Sequence, residues 1–278
     1  REEKRKDTRA RNRSDKNFSH TMDFAECWKL FVNTHSHFEL LVVYLFGSVT
    51  VTYWLFGLIH LFSLDINHWP NVLYAKSKLQ KNRTFELDML EKLLNNLISN
   101  QLLIMLPFSY IMFLLTNHYE STSGSFLLGL TVSDQLPTIS EFFRDVLMFI
   151  LWEEISFFYS HFALHKVPKL YRTVHCVHHE FQSPIALAAA YAHPFEFLLA
   201  NVFPLGVAPL FLHSNLFTVY IWFSVATIGT MVHHCGFHFP WHPQWDIQPE
   251  FHDRHHAKYI NNYGLLGFLD KLHGTYRK

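Results

Sequence analysis

Long uncharged runs set the first picture of this chain. Residues 40 to 62, LLVVYLFGSVTVTYWLFGLIHLF, hold no Asp, Glu, Lys or Arg over 23 positions. That matches the roughly 20 residues a helix needs to cross the hydrocarbon layer. Residues 97 to 116 form a second run, in which Pro107 is a tolerable kink. A third extends from Val146 to His165 and carries Glu153 and Glu154 in its middle. The fourth, 197 to 232, runs 36 positions without a formal charge. Two full crossings need about 40 residues, so this run reads as a tight hairpin broken near Pro204 to Asn215. The pattern predicts an all-α integral membrane helical bundle rather than a soluble core.

The charges between the runs give an orientation. The 63–96 loop carries Lys76, Lys78, Lys81, Arg83 and Lys92, whereas the loop from Asn117 to Phe143 has no Lys or Arg. The segment after the third run opens with Lys166, Lys169 and Arg172. By the positive-inside rule the 63–96 loop and everything after His165 face the cytosol. Strict alternation then puts the N-terminal tail outside, yet its first twenty residues hold eight basic and four acidic side chains. Either the first run is a re-entrant hairpin or the tail breaks the rule. The tail lacks an apolar stretch of signal-peptide type and reads as a solvated, disordered segment. Asn12 (N-R-S) and Asn17 (N-F-S) are glycosylation acceptors if it is luminal. Three regions are expected: a charged tail and interfacial segment over 1–36, an N-terminal transmembrane region over 37–145, and a catalytic domain over 146–278.

Composition narrows the function. Among 278 residues, acids and bases balance at 23 each, which leaves no basic stripe for phosphates and argues against a nucleic-acid partner. Three cysteines, Cys27, Cys176 and Cys235, are too scattered for a disulfide framework or a cysteine-based zinc site. Histidine is the outlier, at 21 residues. At that frequency an H-x-x-H-H pattern should arise by chance roughly 0.1 times, and it arises twice, as HCVHH (His175, His178, His179) and HDRHH (His252, His255, His256).

Other histidines fall into register with these. His161 and His165 are i, i+4 at the end of the third run, so both rings leave the same helical side. His234 and His238 are again i, i+4, with His233 beside them on a different face. Neutral imidazole is a good ligand for iron, zinc, copper and nickel. A mononuclear site uses three or four ligands, so these ten histidines fit two ions, and an H-x-x-H-H element can offer one ring to a second ion. An all-nitrogen pair of sites beside an apolar pocket suits redox iron better than structural zinc, which usually recruits cysteine. His193, before Pro194, and His233 are candidates for metal contact or its surroundings. Carboxylates inside an apolar span are costly and usually functional; Glu154 shares the face of His161 and His165, and could accept a ring N–H or pair with Arg144. Glu180, Asp253 and Asp270 are alternative supporting carboxylates. Cys176 and Cys235 are expected to pack. No catalytic side chain is expected beyond the metal centre.

These residues carry a resemblance. From about Glu153 to Thr275 the chain resembles the fatty acid hydroxylase/sterol desaturase superfamily of membrane di-iron oxygenases, through HFALH, HCVHH, HCGFH, HDRHH and NNYGLLGFLDKLHGT. VHHEFQSP, YAHPFE and LDKLHGT look most like the C-4 methylsterol oxidases and the fatty acid hydroxylase domain-containing proteins, although methylsterol oxidases carry an acidic residue near the position of His238. The resemblance implies transmembrane helices capped by a cytosolic helical domain that holds a histidine-rich dimetal site in the endoplasmic reticulum. It also implies two non-haem irons, with zinc able to substitute in purified protein, and dioxygen as oxidant. Electrons would come from NAD(P)H through cytochrome b5 and its reductase, because the chain has no dinucleotide fingerprint or haem box of its own. The expected reaction is hydroxylation of an unactivated C–H bond of a membrane lipid, a sterol first and a fatty acyl or sphingolipid chain as the alternative, with desaturation as a variant. A zinc membrane hydrolase or isomerase, with Glu180 as base, and a non-catalytic metal-binding scaffold are the readings from other classes.

Overall fold

The computed structural model describes residues 22–243 and 245–278; the charged tail up to residue 21, with Asn12 and Asn17, lies outside the described residues. Among the described residues the chain is helical, with isolated bridges and no strand. Helix α1 (Phe24–Thr34) opens with a capping box. Asp23 accepts from the Glu26 backbone N–H, and the Glu26 carboxylate accepts in return. Five further helices are long and apolar enough to cross a membrane: α2 (Glu39–Ile66), α4 (Leu87–Ser121), α5 (Ile139–Lys166), α6 (Pro194–Phe211) and α7 (Leu216–His233). A short α3 (Asn71–Ser77) lies between the first two.

Lipid, not water, explains their outer faces. Val51, Leu55, Ile59 and Phe62 recur along one stripe of α2 and are each more than half exposed. In water such a stripe would be a large unfavourable patch, whereas against lipid tails it costs nothing. The inner faces pack α7 on α2 and α6 on α5. The uncharged 36-residue run is the α6–α7 hairpin, as its length predicts, but its break is tighter. Pro204 and Pro209 stay inside α6, and the turn is Leu212 to Asn215, where the Asn215 side chain caps α7 by accepting from the Phe217 N–H.

The bundle has two dissimilar ends. At one, α1, the 122–138 loop and the α6–α7 turn are tied together: Trp28 Nε1 donates to the Ser133 carbonyl at 3.1 Å, and the Thr131 N–H donates to the Ser214 carbonyl at 3.0 Å. At the other, Ser77 to Gln80 clip three segments at once. The Leu79 N–H donates to Gly236, the His238 N–H donates to Ser77, and the Gln80 side chain donates to the Gln182 carbonyl and to Asp253. Every histidine of the two H-x-x-H-H motifs lies at this second end. The first apolar run is one continuous helix, not a re-entrant hairpin, so α1 lies at the end opposite the histidines. Of the two alternatives the charge pattern left open, this geometry removes the re-entrant hairpin, while the tail itself lies outside the described residues.

An impermeant thiol reagent checks this topology. In sealed vesicles, exposed Cys27 on α1 and partly exposed Cys176 at the histidine end should label from opposite sides, while buried Cys235 stays protected until the protein is denatured.

Candidate metal centre

The histidines come from five segments. His161 and His165 end α5; His175 closes a short helical stretch formed by Pro168–Leu170 and Tyr171–His175; His178 and His179 sit in the tight turn His178–Glu180; His234 follows α7; His252, His255 and His256 lie on α8 (Glu250–Lys258). They converge in two groups. The first is His161, His165, His175, His179 and His255, and the second is His178, His234, His252 and His256; in each, the candidate ligand nitrogens lie within 4.8 Å of one another. Nine of the ten expected ligands are therefore brought together. The first H-x-x-H-H is not a single helical face: the backbone tightens between His175 and His178, and the turn sends His175 and His179 to one group and His178 to the other. Each H-x-x-H-H motif serves both groups.

The tenth, His238, stands apart. Its Nδ1 meets the Glu250 carboxylate, the ring is about one third exposed, and it belongs to neither group. Gly236, at a φ of +72°, breaks the helical register between His234 and His238, so the i, i+4 spacing does not put the two rings on one face. The expected ligand role of His238 is corrected on this ground.

Within the groups it is the Nε2 atoms that meet. His175 Nε2 lies 2.7 Å from His165 Nε2 and 3.0 Å from His179 Nε2, and His252 Nε2 lies 2.8 Å from His234 Nε2. Five of the Nδ1 atoms point outward and are held by backbone carbonyls. His161 donates to the Tyr263 carbonyl at 2.7 Å, His178 to Tyr191 at 2.9 Å, His255 to Asn261 at 2.7 Å, His256 to Phe181 at 2.9 Å and His234 to Thr230 at 2.8 Å. A carbonyl only accepts, so each Nδ1 carries the proton and each opposing Nε2 presents a bare lone pair. Bare lone pairs at such distances repel unless a cation lies among them. Burial pushes the His178 ring down to about 4, and burial together with neighbouring histidines holds His175, His179, His255 and His256 well below the usual imidazole range. Neutral rings in two all-nitrogen sets, five and four strong, fit a pair of transition-metal ions.

One supporting residue was missed in the sequence. Buried Glu196, in the YAHPFE motif, accepts from His175 Nδ1 at 2.7 Å. Its signal was a carboxylate at the edge of the uncharged run, three residues after His193. The turn around Asn261 also had a signal. Tyr259, Asn261 and Asn262 have φ of 60°, 66° and 55°, and consecutive Asn is the sequence mark of left-handed backbone. That turn aims the Asn261 carbonyl at His255.

The other carboxylates do different work from that expected. Glu154 touches no histidine ring and does not pair with Arg144, which binds Asp145. It accepts the backbone N–H groups of Leu265 and Leu266, each at 2.9 Å, and of Leu269 at 3.3 Å. Asp270 accepts from the Tyr263 and Gly264 N–H groups. The two carboxylates close so tightly on Gly264 that a Cβ there would lie 3.0 to 3.3 Å from their oxygens. Together they hold the loop whose Tyr263 carbonyl fixes His161. Glu180 binds Lys92 at 2.6 Å and accepts from the Tyr191 hydroxyl, leaving it no base position at the histidines. Asp253 accepts from Gln80. His193 caps α6 by accepting from the Phe195 N–H and is in neither group; His233 is also in neither group, although it lines a cavity beside them. The thiols of Cys176 and Cys235 donate to the carbonyls of Arg172 and Phe237, and burial pushes Cys235 up to about 12, so neither is a ligand here.

Comparison with known proteins agrees with this centre. Residues 146–275 match the fatty acid hydroxylase family model. Human fatty acid hydroxylase domain-containing protein 2 is 45% identical over 141 residues, which are 51% of this chain and 41% of that protein. A candidate methylsterol monooxygenase of Dictyostelium discoideum is 31% identical over 208 residues, 73% of each chain. The very-long-chain aldehyde decarbonylase GL1-8 of Oryza sativa is 30% identical over 263 residues, 90% of this chain and 91% of that one. The chain belongs to the fatty acid hydroxylase family. This fatty acid hydroxylase relative spans less than half the length of the human protein, and no solved structure matches it.

Three measurements follow. Glu196→Gln should cost about 10- to 100-fold in metal affinity, read by competition with a chelator. His238→Ala should leave metal content unchanged. For metal-free protein, the unfolded chain takes up protons on its histidines below about pH 6.5, whereas folded His178 does so only near 4. The unfolded state binds more protons between those limits, so thermal stability should fall as pH drops through that window.

Proposed function

We propose that the protein is a membrane-bound di-iron oxygenase that uses dioxygen and electrons from NAD(P)H to hydroxylate an unactivated C–H bond of a lipid, a sterol in the manner of a C-4 methylsterol oxidase. One observation carries this reading: an apolar cavity among the membrane-spanning helices adjoins a smaller cavity lined by histidines of the cage. That cavity is lined by α2, α4, α6 and α7 side chains such as Val49, Phe108, Phe197 and Met231. It meets a second cavity that touches His161, His178, His234 and His252. A lipid can thus reach the cage without crossing water.

Two bound irons would supply the redox chemistry that no protein acid or base performs. The chain's residues do the rest. The nine Nε2 atoms would hold the ions, the backbone carbonyls and Glu196 fix six of the rings, and the apolar walls orient the lipid and exclude water. The four-histidine group supplies three of the four cage rings that touch the inner cavity. The five-histidine group lies toward the other side, where Tyr171 packs on His165 at 5.4 Å between ring centroids and Tyr259 on His179 at 5.0 Å. Exposed Lys166, Lys169, Arg172 and Lys258 surround that side and favour an acidic electron donor such as cytochrome b5, served by its reductase. The positive loops favour a cytosolic position for this side, and the reading takes the bundle to sit in the endoplasmic reticulum membrane.

Protein purified without oxygen should hold about two irons per chain; zinc alone with no oxygen consumption defeats the proposal. Alanine at His178 or His255 should remove one ion and abolish lipid oxidation. In cells lacking the protein, accumulated 4-methylsterols support the sterol reading, and depleted hydroxylated sphingolipids support the fatty acyl alternative.

A further inference from the structure

Four spans wall the apolar cavity, and the seams between them are not alike. Trp54 Nε1 on α2 donates to the Gln101 side-chain carbonyl on α4 at 2.8 Å. The Tyr220 hydroxyl on α7 donates to the Leu40 carbonyl on α2 at 2.6 Å, and Trp222 Nε1 donates to the Leu205 carbonyl on α6 at 3.2 Å. Between α4 and α6 no hydrogen bond runs among the described residues. That seam is tied beyond its two ends instead. Asn100 donates to the Ala190 and Ala192 carbonyls just before α6, and the Gly129 N–H, in the loop after α4, donates to the Leu210 carbonyl late in α6. In lipid, interhelical hydrogen bonds and close packing are what hold spans together, so the middle of this seam parts most easily.

The helices on its two sides are also the ones built to bend. Of the five spans, α4 and α6 alone contain proline. In each, a π-helical stretch, Gln101–Met105 or Phe197–Val202, is followed two residues later by one, Pro107 or Pro204. A wide π turn and a residue with no N–H both loosen the helical ladder. The two π stretches pack on each other, and both line the cavity, through Gln101 and Met105 and through Phe197 and Val202. One ring fills the seam just beyond them. Phe108 lines the cavity, is partly exposed, and rests on Gly206 of α6 so closely that a Cβ there would lie 2.4 Å from its ring.

We propose that the α4–α6 seam is the port through which a lipid passes from the bilayer into the apolar cavity, with the Phe108 ring as its gate. The inference deepens the reading of that cavity as the lipid site and rests on it. Bending α4 and α6 at their prolines lifts Phe108 off Gly206 and opens the wall at mid-span. The bonds of Asn100 and Gly129 keep both ends joined meanwhile.

Timed photolabelling in nanodiscs tests the port. Vesicles carrying a diazirine-bearing sterol or, separately, a diazirine-bearing long-chain alcohol are mixed with the protein and flashed at intervals. Adducts on Phe223 and Met231, which line the α7 wall of the cavity, are then read by mass spectrometry. The paired variant Phe108→Cys, Gly206→Cys, with Cys27→Ser and Cys176→Ser, is bridged across the seam by a short bifunctional thiosulfonate. Bridged protein should fill at least about tenfold more slowly than the same protein after reduction, because entry then lacks its conformational step, and should reach the same final labelling. Gly206→Ala, whose new methyl group dislodges the ring, should fill faster than wild type. Equal rates in the bridged and reduced forms overturn the port, as does a wild-type cavity that neither probe labels. A Gly206→Ala rate equal to wild type also overturns it, and does so whether or not the paired variant folds. The labelling needs neither metal nor turnover, so iron content and oxygen consumption test the oxygenase reading apart from it.

Discussion

Nine imidazoles turned lone pair to lone pair in a dry interior are the constraint on which the rest of this structure depends. Left alone, that arrangement is repulsive, and protonation would not relieve it, because neighbouring cations would then repel in its place. It is stable as a folded centre only if each ring is neutral, each proton is on the outer nitrogen and positive charge lies between the inner ones. Burial supplies the first condition, and outward hydrogen bonds supply the second for six of the nine rings. The metal-ligand chemistry of the site supplies the third.

Much of the surrounding fold serves to keep those outer nitrogens bonded. Carbonyls from Phe181, Tyr191, Asn261 and Tyr263 are presented by loops rather than regular helix, where a backbone oxygen is free to point sideways. Such loops need holding. Buried Glu154 and Asp270 hold the Tyr263 loop through its N–H groups, with Gly264 leaving room for both. The Ser77–Gln80 clip holds the segments after α7, before α8 and around Gln182. A carboxylate placed deep in an apolar helix is thus used to organise backbone, which a lipid-facing position could not tolerate.

The two ends of the bundle divide the tasks. One end closes with Trp28, Thr131 and Asn215 and carries no metal group among the described residues. The other combines a cage, a polar cavity and an apolar cavity opening among the spans, and it places the two ion groups asymmetrically between inner cavity and outer surface. That asymmetry gives the proposed oxidation of a lipid a direction, with the hydrocarbon arriving from one side and reducing equivalents from the other.

The sequence by itself determined what depends on local spacing and on solvent. Uncharged runs of the right length marked the spans, because a bilayer tolerates little else. The two H-x-x-H-H motifs and the His161, His165 pair marked the centre, because side chains three and four apart on one element are neighbours. Local spacing could not say which ring joins which ion, since the split of each motif depends on turns at His178 and on the meeting of α5, α7 and α8. It misplaced His238, whose helical register ends at Gly236, and it offered Glu154 a histidine ring or Arg144 when the true partners lie more than 110 residues away. It passed over Glu196, whose role exists only because α6 folds back against His175. Those assignments are contacts between distant segments, and only the tertiary structure decides them.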